Sequence, residues 1–184
     1  MYQKYTIAIC DILGFSNLVK NNPLDVVVDN TLAWIRKSIP HSLNKNGWPE
    51  STPELGDIDK NPRVGLVWFS DTVLLYTRKD SKECLQELIQ TIAWLLFETN
   101  LTSTRMRAGI AYGDAFIDPK NAIFVGKTII EAYEMEQSQQ WAGAALTESA
   151  VVQIPEEFRG GECINWPVIH YHVPIKNGKS VSTL

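Results

Sequence analysis

The stretch Val64-Gly-Leu-Val-Trp-Phe69-Ser70-Asp71-Thr72-Val-Leu-Leu-Tyr-Thr77 contains two runs rich in β-branched and aromatic residues, separated only by Ser70-Asp71. A two-residue connection between such runs specifies a tight antiparallel hairpin. Upstream, Tyr5-Thr-Ile-Ala-Ile-Cys-Asp11 is another run of strand length, closed by Ile12-Leu13-Gly14, after which Phe15-Ser16-Asn17 can open a short helix. Pro23 suits the first turn of a second helix, along which Leu24, Val27, Val28, Thr31, Leu32 and Ile35 recur at helical spacing. Residues 40–62, rich in Asn, Gly, Pro, Ser and Asp, read as a long surface loop. Downstream of the hairpin, Leu85, Leu88, Ile89, Ile92, Leu95 and Leu96 share one face of a helix from Lys82 to about Thr99. Arg107 to Tyr112 reads as a strand turned by Gly113-Asp114, followed by short strands at Ala115–Ile117 and Ile123–Val125. A helix from Lys127 to Gln139, a strand at Ala144–Leu146, a short helix after Thr147 and a last strand at Val168–Val173 complete the pattern. This order predicts an α/β (α+β) fold: a ferredoxin-like βαββαβ core with a C-terminal αβ extension, in one domain over residues 1–184.

Composition narrows the function. The 184 residues suffice for one domain with a sizeable core. Seventeen Lys and Arg against 21 Asp and Glu give a net charge of −4, which disfavours nucleic-acid and anionic-membrane binding. Apolar runs such as Ile7–Cys10 fall far short of a membrane span, and the N-terminus shows no signal-peptide pattern. Cys10, Cys84 and Cys163 are isolated and lack metal-binding spacing, so they read as small buried hydrophobes in a reduced, cytoplasmic protein. His170 and His172, alternating about Tyr171, read as a solvated strand face, and Glu131, Glu134 and Glu136 as an exposed helix face. Phosphate-loop, zincin, nucleophile-elbow and dinucleotide-binding signatures are all missing.

Asp11 and Asp71 carry the chemistry. Asp11 ends the first strand and Asp71 sits in the hairpin turn, so a ferredoxin-like sheet brings both to one edge. Paired carboxylates suit hard divalent ions, which are commonly held by one or two carboxylates plus substrate phosphates. The amides of Leu13, Gly14, Phe15 and Ser16 lie where a helix begins, and such amides are ready phosphate ligands. The bland alternative is a helix cap at Asp11 and a plain turn residue at Asp71.

Four segments resemble, in order and spacing, the class III nucleotidyl cyclases. Asp11-Ile12-Leu13-Gly14-Phe15-Ser16 is similar to that family's D-x-x-G-F-[ST] segment, and Phe69-Ser70-Asp71 to its second metal-Asp turn. Met106-Arg107-Ala108-Gly109-Ile110-Ala111-Tyr112-Gly113 resembles its M-R-x-G-I-x-x-G strand. Phe124-Val125-Gly126 with Ile129, Ala132 and Met135 is similar to its G-x-x-[VI]-N-x-A-x-R-M helix. The resemblance implies two divalent cations, Mn²⁺ or Mg²⁺, on Asp11, Asp71 and the Ile12 carbonyl. It also implies a triphosphate on Leu13, Gly14, Phe15, Ser16 and Arg107, and a homodimer with its sites at the interface.

The departures from that pattern concern the base and ribose. Val67 stands where purine cyclases often carry a Lys, and Ile123 where they carry a polar base reader. Ile130 and Glu134 replace the helix Asn and Arg of the family, whose charge Arg36, Arg105 or Lys127 could supply. With Phe69, Val67 and Ile123 are the base-pocket candidates. This pattern is similar to the stand-alone pyrimidine cyclases of bacterial Pycsar antiphage systems. That resemblance implies cyclic UMP, or alternatively cyclic CMP, read by a separate effector protein. Purine cyclase activity, a catalytically inactive nucleotide-binding module, and an RNA-binding ferredoxin-like domain are the other readings. The last is disfavoured by acidity and the lack of an aromatic RNA-binding strand.

Overall fold

The structure, a computed structural model, describes residues 2–44, 61–102, 104–159, 166–176 and 180–183. The order begins β1 (Tyr2–Ile12), α1 (Phe15–Asn21), α2 (Leu24–Val26), a π-helical turn (Val27–Leu32), α3 (Ala33–Asn44), β2 (Val64–Phe69) and β3 (Thr72–Thr77). It continues with α4 (Lys82–Asn100), β4 (Met106–Asp118), β5 (Ile123–Val125), α5 (Lys127–Ser138), β6 (Ala144–Leu146), α6 (Glu148–Val151), β7 (Tyr171–Pro174) and β8 (Ser180–Thr183). The main sheet runs β2-β3-β1-β4-β5, with β6 added parallel to β4, and β7 and β8 form a separate antiparallel pair. All neighbours in β2-β3-β1-β4 are antiparallel, the order the sequence predicts.

β1 is apolar on both faces because it is the central strand. Ala8, Cys10 and Ile12 point to one face, where Val73, Leu75, Met106 and Ile110 join Ile35 and Ile39 of α3 and Leu88, Ile89 and Ile92 of α4. Tyr5, Ile7 and Ile9 point to the other face, where Tyr76, Ala111 and Ala115 meet Ile129 and Ala132 of α5. α5 comes closest to the sheet over Gly109. A Cβ there would overlap the Ala132 carbonyl oxygen and the Glu136 amide nitrogen. Only glycine permits so close a backbone approach.

Several local expectations change. Gly113-Asp114 does not turn the chain, and β4 runs straight through it because Gly113 pairs with Tyr5 and Asp114 with Lys4. The second helix continues past Pro40 to Asn44 instead of ending in the loop expected over 40–62. Burial of Ile39 and Ser42, with Ser42 Oγ donating to the Ser38 carbonyl at 2.7 Å, holds the turn that proline weakens. Residues 45–60 of that loop lie outside the described residues, as does Cys163. Cys10 and Cys84 are buried as expected, and burial above all pushes the Cys10 thiol up to about 12, an unreactive state. The strand expected last, at Val168–Val173, is β7, which begins at Tyr171 and not at Val168, whose side chain packs into the core with Trp166, and a further strand, β8, follows it. Among the described residues, no helix is long and apolar enough to cross a membrane.

Candidate active site

Register places the functional residues along one row of the sheet. Phe69 pairs with Thr72, Thr72 with Asp11, and Asp11 with Arg107. Asp71 precedes Thr72 in the two-residue turn, whose other member, Ser70, is held in the left-handed region at φ 56°. A serine there carries strain of the kind that collects at functional turns. Strand alternation turns Asp11 toward the α5 side of the sheet, away from α3 and α4.

The two carboxyl groups lie close enough to interact: Asp71 acts on Asp11 through its charge and as a hydrogen-bond partner, and the pKa of Asp11 is pushed up to about 6. Burial is the largest cause, the negative charges of Glu136 and Asp71 add to it, and Arg107 partly offsets them. Hard oxygen donors in this mutually repelling state fit a divalent cation, which would relieve the repulsion. Among the described residues, no group of three or more His, Cys, Asp or Glu side chains is placed to hold a metal. Asp11 and Asp71 are the two carboxylates here that could hold a cation, together with a backbone carbonyl such as that of Ile12 and substrate oxygens.

A pH experiment tests this placement. Because its folded-state pKa lies above the ordinary 3.8, Asp11 favours the fold fully below that value and loses this contribution as pH rises through about 6. Metal-free Asp11→Asn, which cannot ionise, should match the wild type near pH 4 and exceed it at pH 7.5. The expected gain is about 1 kcal/mol, after discounting for solvent at a partly exposed site. Thermal melts at the two pH values would show it; equal stability at pH 7.5 would mean the carboxylate is not held under repulsion.

Next to the carboxylates, Gly14 caps α1 at φ 77°, a conformation glycine adopts without strain. The cap has no side-chain hydrogen bond, which leaves the amides of Phe15 and Ser16 at the start of the helix. The Leu13 amide is already committed, donating to the Arg105 carbonyl at 2.8 Å. The same bond brings the exposed Arg105 beside the loop.

Arg107 lies inside the site, with its side chain 10% exposed. Its Nε donates to Glu136, a guanidinium NH group donates to the Gln139 carbonyl at 3.0 Å, and another lies 3.7 Å from Asp11 Oδ2. Phosphate contact would require it to leave Glu136 and Gln139. Glu136 corrects the reading of α5: it is 1% exposed and not part of a solvated face, whereas Glu131 and Glu134 are exposed. The signal was present in the sequence, because Glu136 follows Ile129 and Ala132 on the stripe that meets the sheet.

The base-pocket candidates are spread out. Val67 and Phe69 sit on β2, Val67 half-buried and Phe69 81% exposed. Ile123 is exposed on β5, at the far end of the strand order. Ile130 and Glu134 project from α5 into solvent. His172 on β7 and His170 just before it are both exposed, their ring centroids 5.9 Å apart, although only His172 lies on the strand.

Several solved structures to which the chain is similar are described as nucleotide cyclase domains. The chain is similar to the guanylyl cyclase domain, described as a non-canonical dimer, of the RhoGC fusion protein from the aquatic fungus Blastocladiella emersonii. The TM-score is 0.57 at 19% identity over 84% of this chain and 85% of that one. It is similar also to the catalytic core of a rhodopsin-guanylyl cyclase with converted specificity, solved with ATPαS, at TM-score 0.61 and 15% identity over 99% and 93% of the two chains. A class III adenylyl cyclase-like ATP-binding protein from Pseudomonas aeruginosa aligns at TM-score 0.57 and 15% identity over 84% of this chain and 35% of its own. No sequence-family model and no curated protein sequence matches. The chain therefore has the class III nucleotidyl cyclase fold.

Proposed function

We propose that this protein is a metal-dependent nucleotidyl cyclase acting on a pyrimidine triphosphate, converting UTP to 3′,5′-cyclic UMP and pyrophosphate. The observation that carries the reading is the convergence of Asp11 and Asp71 at the mouth of the sheet, beside the uncapped start of α1. Two divalent cations, Mn²⁺ or Mg²⁺, would be held by both carboxylates and the Ile12 carbonyl, and would supply charge neutralisation and a more acidic ribose 3′-hydroxyl. The Phe15 and Ser16 amides, with Gly14 letting the backbone approach, receive phosphate oxygens, and the exposed Arg105 adds positive charge. The 3′-oxygen then attacks the α-phosphate in line and pyrophosphate leaves.

Val67 and Ile123 lack the polar groups with which purine cyclases read the base, and an unpaired buried purine edge would cost on the order of 1–3 kcal/mol. The pyrimidine choice adds a smaller ring, read by polar groups from another element or a second copy of the chain. A second copy of the chain completes the site in this reading. That fits Phe69 and Ile123, two of the three base-pocket candidates, standing exposed at opposite ends of one sheet. The product would serve as a second messenger in antiphage defence, read by a separate effector, as the resemblance to stand-alone pyrimidine cyclases implies.

Incubation with equal ATP, GTP, CTP and UTP in Mn²⁺, with products identified by mass, tests the proposal. Cyclic UMP should dominate. Dominant cyclic CMP would change only the pyrimidine, and dominant cyclic AMP or GMP would overturn the pyrimidine reading. A second reading, a nucleotide-binding module without turnover, is favoured by Ile130 and Glu134 and by the neighbour described as an ATP-binding protein. Nucleotide binding with no cyclic product from any triphosphate would establish it.

A further inference from the structure

The Arg107 guanidinium presents a difficulty for any cation site at Asp11. It is a fixed positive charge 3.7 Å from Asp11 Oδ2, in a setting from which solvent is largely excluded. A guanidinium in direct contact with that carboxylate would occupy the oxygens a metal needs. It is kept back by α5: Glu136 takes the Nε, and the Gln139 carbonyl takes an NH group at 3.0 Å. Glu136 is itself fixed, since Gln137 Nε2 donates to its other oxygen at 2.8 Å. Gln139 is anchored in turn, its side chain donating to the Ala108 carbonyl at 2.9 Å and accepting from Trp141 Nε1 at 2.6 Å. Both acceptors lie at the C-terminal end of the helix that Gly109 admits to the sheet.

We infer that Glu136 is a positioning residue that withholds Arg107 from Asp11 and balances its charge, keeping the carboxylate available to a divalent cation. The inference rests on the two-carboxylate metal site proposed above and adds to it the residue that keeps the site open. Glu136 touches neither metal nor substrate and acts only through Arg107. With the acid neutralised, the guanidinium is free to close on Asp11, and the local charge becomes more positive by one. Both effects oppose a cation.

The test is Mn²⁺ binding to the full chain without nucleotide, followed by calorimetry, with a thermal melt of each variant. Glu136→Gln keeps the shape and a neutral acceptor for Arg107, and should raise the Mn²⁺ Kd about tenfold, the scale of one unit charge at short range behind partial screening. Arg107→Met with Glu136→Met removes both charges together and should bring the Kd back to within about threefold of wild type, because packed apolar side chains can replace a buried pair without loss of fold. If Glu136→Gln does not fold, Glu136→Asp carries the same test, since it keeps the charge but withdraws the acceptor by one methylene; its Kd should rise several-fold. A purely structural role predicts lower melting temperatures with unchanged Mn²⁺ affinity. Wild-type affinity in the folded single variant, or affinity in the double variant as weak as in the single, would overturn the inference alone. Absence of Mn²⁺ binding by the wild type would overturn the metal-site reading and this inference with it.

Discussion

Asp71→Ala should lower cyclase turnover in Mn²⁺ by about a thousandfold or more while leaving the protein folded. In the proposed metal site the carboxylate supplies half of the acidic ligand set, and charge stabilisation by a bound ion is worth several kcal/mol at the transition state, each 1.4 kcal/mol being tenfold in rate. The fold has little reason to suffer. Asp71 is a half-buried member of a two-residue turn, and its removal takes a negative charge away from Asp11, which is already pushed toward protonation. Metal-free Asp71→Ala should therefore melt at the same temperature as the wild type or above it. Asp11→Ala should be equally inactive. Near-normal turnover in either variant would show that the metal assignment is wrong, and loss of folding would show that the carboxylates are structural.

Gly109→Ala should be strongly destabilising although it adds only one methyl group. The added Cβ meets backbone atoms of α5 at Ala132 and Glu136, which cannot rotate away as a side chain tip could. The helix must shift as a body, opening the packing of Ile129 and Ala132 on Ile7 and Ile9. Overpacking of this kind costs about 3 kcal/mol, at the upper end of the usual range, or roughly 10 °C in melting temperature for a domain of this size. The shift also moves Glu136, so Mn²⁺ affinity should weaken alongside stability. A melting temperature within about 2 °C of wild type would show that α5 floats on the sheet and does not fix Arg107.

The core topology was legible because its signals are local and redundant. The apolar run ending at Asp11, the two-residue turn at Ser70-Asp71 and the stripe from Leu85 to Leu96 each specify an element, and few sheets accommodate all three. Elements that depend on tertiary support were not legible. Gly113-Asp114 looks like a turn until β1 pairs with it, and Pro40 looks like a helix end until Ile39 and Ser42 are buried. At the site, Asp11 and Asp71 could be paired from topology alone. Arg107 could not be placed, because whether an arginine at a strand start faces solvent or a buried acid is decided by Glu136, far along the chain. The charge of Glu136 suggests a solvated acid, whereas its position on the apolar stripe of α5 points to burial.

The central place of β1 has a consequence for how the protein is made. Ile7 pairs with Tyr76 on one side and with Ala111 on the other. β1 therefore leaves the ribosome before either neighbour and waits for both until β4 has been synthesised. In that interval Tyr5-Thr-Ile-Ala-Ile-Cys10 is an uncharged, β-prone segment with two unpaired edges, the composition that seeds strand-to-strand aggregation. Pairings so distant along the chain also close slowly, because their loop entropy must be met before any contact repays it. Nascent chains stalled before β4 should consequently engage chaperones through this hexapeptide, and release them once Met106–Asp118 has docked.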